Sequence, residues 1–476
     1  MSELHHLTAL EQGTLIAAGA LSPVDLTVHY LTRIEKLNDT VGAYVTVTAD
    51  IALGQAERSR DAATAARRAG RKLPPLHGVP IPVKDSVHVA GVRTSHGSAA
   101  LGDDPSTVDD HLVTRLKNAG TVLLGKTNTP EFELSGHTEN RVAPPARTPW
   151  DPECSAGGSS GGAAAAVASG LAPAAHGSDS AGSIRGPASV CGLYGIKPSR
   201  GRVSTGPTLW DVSGLTTGGP LARTVADAAA LLDALAGPMP GDPYAAPGLP
   251  PGEDFLGHAG RRTGPLRIGL VTEPTVPGVT VHPDCLAAAQ DAAELLTALG
   301  HLVEPARLPA DASLGRAFPP VWAVLAALRP VPPGNEARLM PFTRHLRAQG
   351  AAVTGTEFAA ALHAFRAIGR RMAEFHTAYD VLLTPTLAEP PQAVGALRNE
   401  EDPAAEAAAT VARSPFTALY NVTGQPAVSL PLYWTAAGLP IGVMLAGRYG
   451  EDAALISLSA QLEAARPWAG RTPPVW

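Results

Sequence analysis

Two runs of small polar residues stand out as places where chemistry could occur: GGSSGG at 157–162 and SAGS at 180–183, which set Ser159 and Ser183 24 positions apart. Hydroxyls without bulky neighbours, beside glycines that leave backbone N–H groups bare, suit acyl transfer. The hydroxyl attacks a carbonyl, and the amides face the oxygen that gains charge. A serine hydroxyl is a weak nucleophile near neutral pH and needs a base in contact. Lys84, in the stretch VPIPVKDS at 79–86, is a candidate for that base. A lysine serves only if its pKa falls from about 10.4 towards neutrality, and burial does this by disfavouring the ammonium. Val79, Ile81 and Val83 supply an apolar wall. Together these residues read as serine chemistry run without histidine.

Such residues must be held by regular elements. The alanines at 163–168 predict a helix whose first N–H groups point back at Ser159 and Ser160, with Gly170 ending it. LAPAAHG at 171–177 suits a buried strand and SDSAGS a turn after it, so both serine loops lie at one edge of a sheet with Ser183 within reach of Ser159. Residues 8–70 read as helical apart from AYVTVT at 43–48. Ser22, Pro23 and Asp25 mark a helix start, and Gly70 ends the region. From Leu76, short apolar strands alternate with helices such as HLVTRLKNAG and TVADAAALLDALAG, an α/β pattern with helices covering a central sheet. The Pro/Gly-rich run at 238–254 reads as a surface connection, LRIGLV as a strand, and CLAAAQDAAELLTALG as the helix after it. Residues 308–375 read as a mainly helical insertion over the mouth of the site.

GGSSGG, then DSAGSIR, then GLYGIKPSRGRVS, with HGVPIPVKDS upstream, closely resemble the amidase signature family of amide hydrolases. LGKTNTPEF, YDVLLTPT, NVTGQPAVSLPL and GLPIGVMLAG resemble the same family's further segments, so the likeness covers most of the chain except about 239–265 and 308–375. The resemblance implies an α/β amidase signature fold, a central mixed β-sheet with helices on both faces, in a single domain over 1–476. Within it, 1–73 would be a helical scaffold, 74–237 the catalytic core, 238–265 a linker, 308–375 a variable helical insertion and 376–476 the rest of the core. It also implies an acyl-enzyme mechanism without cofactor or metal. Ser183 would be the nucleophile, Ser159, after a cis peptide, the relay, and neutral Lys84 the base that returns a proton to the departing amine. Backbone N–H groups of Ser180, Ala181, Gly182 and Ser183 would form the oxyanion hole, one such donor being worth about 3–4 kcal/mol in a transition state. Asp179, Arg185 and Ser160 would brace the loops. Two glycines usually precede the family's nucleophile. Ala181 departs from that pattern but keeps its N–H. The Gly/Ser segment and NVTGQPAVSLPL look most like the branch containing 6-aminohexanoate cyclic-dimer hydrolases, which implies linear or cyclic amides of that type as substrates.

Other readings compete. GGSSG also fits the GxSxG nucleophile elbow, which would make Ser159 the nucleophile. The elbow needs a strand directly before it, whereas TPWDPECSA is loop-like. A glutaminase subunit of a tRNA-dependent amidotransferase would share the core, yet no feature here is tied to glutamine or to such a partner. Taken singly, GGSSGG is a linker or an anion cradle and Lys84 a solvated edge residue beside Asp85. Their joint occurrence favours catalysis. Lys197 and Ser204 belong to a turn leaving a strand. A net charge of −6 with mixed signs gives no footprint for nucleic acid or for a membrane surface. The first twenty residues lack a basic segment followed by an apolar core, and no run suits a transmembrane helix, so a cytoplasmic setting is expected, with a small-molecule amide as partner and a homodimer left open. Three cysteines argue against a disulfide framework, and the fifteen histidines show no paired metal spacing. His5, His6, His88, His96 and His176 read as surface or packing residues. Phe318, Trp322, Leu325, Leu328, Met340, Phe342 and Phe358 either line the pocket or pack the insertion onto the domain.

Overall fold

The computed structural model describes residues 3–209, 211–309 and 313–476. Its strands are β1 Tyr44–Val47, β2 Pro80–Lys84, β3 Val122–Thr127, β4 Ala174–Asp179, β5 Tyr194–Lys197, β6 Thr217–Ala222, β7 Arg267–Leu270, β8 Leu302–Pro305, β9 Val381–Pro385, β10 Ala427–Trp434 and β11 Pro440–Gly447. The larger sheet runs β4-β6-β5-β10-β11-β9-β7-β8 and is mixed: β4 lies antiparallel to β6 from Ala174↔Ala222 to Asp179↔Thr217, while β7 is parallel to β8 and β9. β1, β3 and β2 form a separate three-stranded sheet, with β2 parallel to β3. The α/β class expected from the sequence holds, but Lys84 ends a strand of the small sheet rather than one of the central sheet.

Helix Gly161–Ala168 is buried at every position. Glycine and alanine on all faces let it sit deep inside the protein, where a helix with a polar face could not be accommodated. A Cβ at Gly162 would stand 2.2 Å from Asn128 N and 2.5 Å from Ala43 O, so the small sheet approaches backbone to backbone. β4 is fully buried as well.

The N-terminal helices form as their caps dictate. The Thr8 hydroxyl accepts from Glu11 N and the Glu11 carboxylate from Thr8 N, closing a capping box before Ala9–Ala18. Ser22 caps Pro23–Val41, and Gly42 ends that helix in the left-handed region. Asp227 accepts the N–H groups of Ala9 and Leu10 at 3.0 Å each, tying this scaffold to helix Val225–Leu235.

The described residues of the 308–375 segment include helices Ser313–Ala327, Pro341–Ala352 and Gly355–Phe375 and a short 3-10 turn, Glu336–Arg338. Its large apolar groups mostly turn inward. Phe318 stacks on Trp322 with ring centroids 5.6 Å apart, and Leu325, Met340 and Phe342 are buried. Ala326, Leu339, Phe342 and Leu346 pack with Phe132 and Leu134 in one apolar cluster, which joins the insertion to the loop following β3.

Candidate active site

Lys84, fully buried at the end of β2, donates to Ser159 Oγ at 2.7 Å and to Ser178 Oγ at 2.9 Å, and its Nζ lies 2.9 Å from Glu133 Oε2. The Ser178 hydroxyl donates in turn to Glu133 Oε2 at 2.5 Å. Each hydrogen of an ammonium therefore has an acceptor. Burial pulls the Lys84 pKa below the ordinary lysine value, and the Glu133 carboxylate pulls the other way. For Glu133, burial acts upwards, but Lys84 and Arg329 outweigh it and hold the carboxyl down at about 2.

The first serine loop is locked onto β4. The Gly158–Ser159 peptide is cis. Gly158 is squeezed against residue 137, where a Cβ would meet both His137 N and O at 2.7 Å. The Ser160 hydroxyl donates to Ser178 O at 3.0 Å and accepts from Ser178 N at 3.2 Å. Ser160 N–H donates to the Ser183 carbonyl at 3.1 Å, which sets the two loops side by side. No hydrogen bond joins the Ser159 and Ser183 hydroxyls among the described residues. Ser183 is 9% exposed.

The second loop is wrapped around Asp179. This buried carboxylate accepts Gly182 N–H at 2.8 Å, Ile184 N–H at 3.1 Å, and both Nε (3.0 Å) and Nη2 (2.9 Å) of Arg185. Arg185, also fully buried, donates further to Thr417 O and Asn421 Oδ1. Burial would raise the Asp179 pKa, but the Arg185 guanidinium outweighs it and holds the carboxyl well below the usual range. Ser160, Asp179 and Arg185 thus tie the two serine loops to their surroundings by hydrogen bonds. The expectation that Gly182 N–H faces an oxyanion needs correction, because that group is already given to Asp179. Ser180, Ala181 and Ser183 keep N–H groups without an acceptor among the described residues. Gly182 has φ +130° and its Cβ would stand 2.5 Å from Thr417 Oγ1, so glycine is required there.

A cavity of about 620 Å³ opens beside Lys84's partners and is lined by Glu133, Ser178, Thr216, His96, His176 and Arg329, among others. Neither Ser159 nor Ser183 lines it. Thr216 links it to the second loop through a 2.8 Å hydrogen bond with the Ser180 hydroxyl. Burial lowers the pKa of His96 and of His176 to about 3, so both rings are neutral. The histidines at 88, 96 and 176 wall a cavity rather than merely packing. From the insertion, Arg329 and Pro330 reach this wall, whereas none of its large apolar residues named above does. Cys154 is buried beside Asp151, which with burial raises its thiol to about 11.

Glu133, Ser178 and Arg329 are the site residues that sequence reasoning missed. Glu133 directly follows the TNTPEF motif, but no spacing rule links position 133 to position 84.

The fold and this site belong to an enzyme class that hydrolyses carbon–nitrogen bonds. Residues 25–456 match the amidase family model, and the chain belongs to that family. It is 40% identical over 480 residues to the putative amidase AmiB2 of Mycobacterium tuberculosis, covering 100% of this chain and 99% of that one. It is 34% identical over 492 residues to the 6-aminohexanoate-cyclic-dimer hydrolase of Paenarthrobacter ureafaciens, covering 98% and 96%. A solved structure of 6-aminohexanoate cyclic dimer hydrolase complexed with substrate superposes with a TM-score of 0.91 at 32% identity, covering 99% of this chain and 100% of that one. Among the described residues no helix is long and apolar enough to cross a membrane.

Proposed function

We propose that this amidase cleaves a carboxamide through an acyl-enzyme on Ser183, with Ser159 relaying protons to and from Lys84. The observation that carries the reading is the 2.7 Å contact between Lys84 Nζ and Ser159 Oγ inside a buried site, with the Ser183 loop alongside. Ser183 Oγ attacks the carbonyl carbon as its proton passes to Ser159 and the Ser159 proton passes to the lone pair of neutral Lys84. N–H groups of Ser180, Ala181 and Ser183 face the oxygen that gains charge. Collapse of the tetrahedral adduct breaks the C–N bond, and the leaving nitrogen takes the proton held by Lys84. Water then attacks the acyl-enzyme by the same relay, releasing the acid and restoring Ser183.

The substrate is a small linear or cyclic amide of the 6-aminohexanoate type. The hydrolase relatives support this. A fluorophosphonate probe should label Ser183, and Ser183→Ala should abolish labelling. An adduct mapped to Ser159 would overturn the assignment and favour the elbow reading. Mass spectrometry on a panel of linear, aryl and cyclic amides tests the substrate class. Turnover of glutamine alone would defeat the 6-aminohexanoate reading.

A further inference from the structure

We propose that Glu133, steadied by Arg329, is a positioning residue that sets the pH at which Lys84 becomes a base. This rests on the reading of Lys84 as the proton acceptor, which demands a lone pair on Nζ. The geometry around Nζ is that of an ammonium, with Ser159, Ser178 and Glu133 each within 2.9 Å. Of these partners Glu133 alone carries a charge, so it is the group that favours the protonated form.

Glu133 is held in place against its own backbone. Phe132 and Glu133 have φ of 51° and 66°, in the left-handed region that disfavours side chains. Burial of Phe132 with Leu339 and Phe342, and the contacts of Glu133 to Lys84 and Ser178, hold this conformation. A strained carboxylate pinned on the catalytic amine, where an apolar side chain would fill the same space, points to a purpose in its charge.

The other ionisable groups facing Lys84 are accounted for. Asp179, paired with Arg185, also favours the Lys84 ammonium but acts more weakly than Glu133; Asp85 is paired with Lys126, and His96 and His176 are neutral. Arg329 Nη2 lies 3.7 Å from Glu133 Oε1. It favours the Glu133 anion and opposes the Lys84 ammonium, so the two residues act on Lys84 with opposite sign. Through Arg329 the insertion at 308–375 reaches Glu133, and through it Lys84.

The experiment is the pH profile of kcat/KM on a neutral amide. Glu133→Gln keeps the shape and, with its amide oxygen towards Lys84 and Ser178, can keep those two contacts, but it removes the charge and turns an NH₂ towards Arg329. Its rising limb should move to lower pH by about one unit or more, raising activity on the limb about tenfold relative to the variant's own plateau. Arg329→Gln should move the limb the opposite way. Limbs that stay in place, that move in the same direction, or activity lost at every pH in correctly folded Glu133→Gln would overturn the proposal. Should Glu133→Gln fail to fold, Arg329→Gln and Glu133→Asp carry the test: an upward shift in the first and a small shift in the second are expected, and two unmoved limbs refute it. On an activated ester, a rising limb that survives Lys84→Ala would instead refute Lys84 as the base. A limb abolished by Lys84→Ala but unmoved by the other variants would sink the present inference alone.

Discussion

Replacing Asp179 by Asn removes one charge from the centre of the nucleophile loop. Asp179 and Arg185 are both fully buried, and the carboxylate accepts from the backbone N–H groups of Gly182, Ile184 and Arg185, from two guanidinium nitrogens and from the Asn421 amide. Asn offers a single acceptor oxygen and turns an NH₂ towards donors, leaving the Arg185 charge uncompensated. Breaking a buried pair in this way costs about 3–5 kcal/mol. The loop would also lose the anchor that holds Gly182, and with it the aim of the neighbouring N–H groups, each worth about 3–4 kcal/mol in the transition state. Urea unfolding should therefore show a loss of about 3 kcal/mol or more, and kcat on an amide should fall about 100-fold or more under conditions where the variant is folded. The pH dependence follows in sign. The folded-state pKa of Asp179 is depressed, so its contribution is present above the unfolded carboxyl pKa of about 3.9 and is lost as pH falls towards the folded value. The gap in stability between parent and variant should accordingly be constant from pH 5 to 8 and shrink only in strong acid. A stability loss below about 1 kcal/mol, or an unchanged kcat, would refute the idea that Asp179 organises this loop.

Lys84→Ala should be nearly inactive on amides, whose leaving amine needs a proton, and should lose less on activated esters; equal losses would argue against Lys84 as the donor. Burial, aided by Arg185, lowers the Lys197 pKa to about 7. An unfolded lysine binds its proton up to about 10.4, so parent stability should rise by about 2 kcal/mol between pH 7 and 9, and Lys197→Met should lack that rise in urea midpoints. Phe342→Ala should cost about 3–5 kcal/mol of stability and lower turnover of all amides alike, because the ring packs with Phe132 and Leu134 rather than lining the cavity; a changed preference between long and short acyl chains would assign it to specificity instead.

Much of the site was legible because it is local. GGSSGG, the alanine helix and the strand into SDSAGS are consecutive, and short connections between small residues leave them few ways to arrange themselves. Helix Gly161–Ala168, β4 and the caps at Thr8 and Ser22 follow from residue types a few positions apart. Membership of the amidase family rests on such segments. What the tertiary structure alone decided is which distant groups meet. Lys84 stands on a second sheet, and nothing in the spacing singles out Glu133 among 43 acidic residues as its partner. Gly182 N–H turns to Asp179 rather than to the cavity because Arg185 and Asn421 hold that carboxylate within the loop. The aromatic residues of the insertion face inward while Arg329 reaches the site. The physical reason is common to all of these. Periodicity and turn chemistry act over a few residues, whereas the pairing of buried charges and the choice of a packing face depend on which backbones lie alongside, and long-range packing decides that.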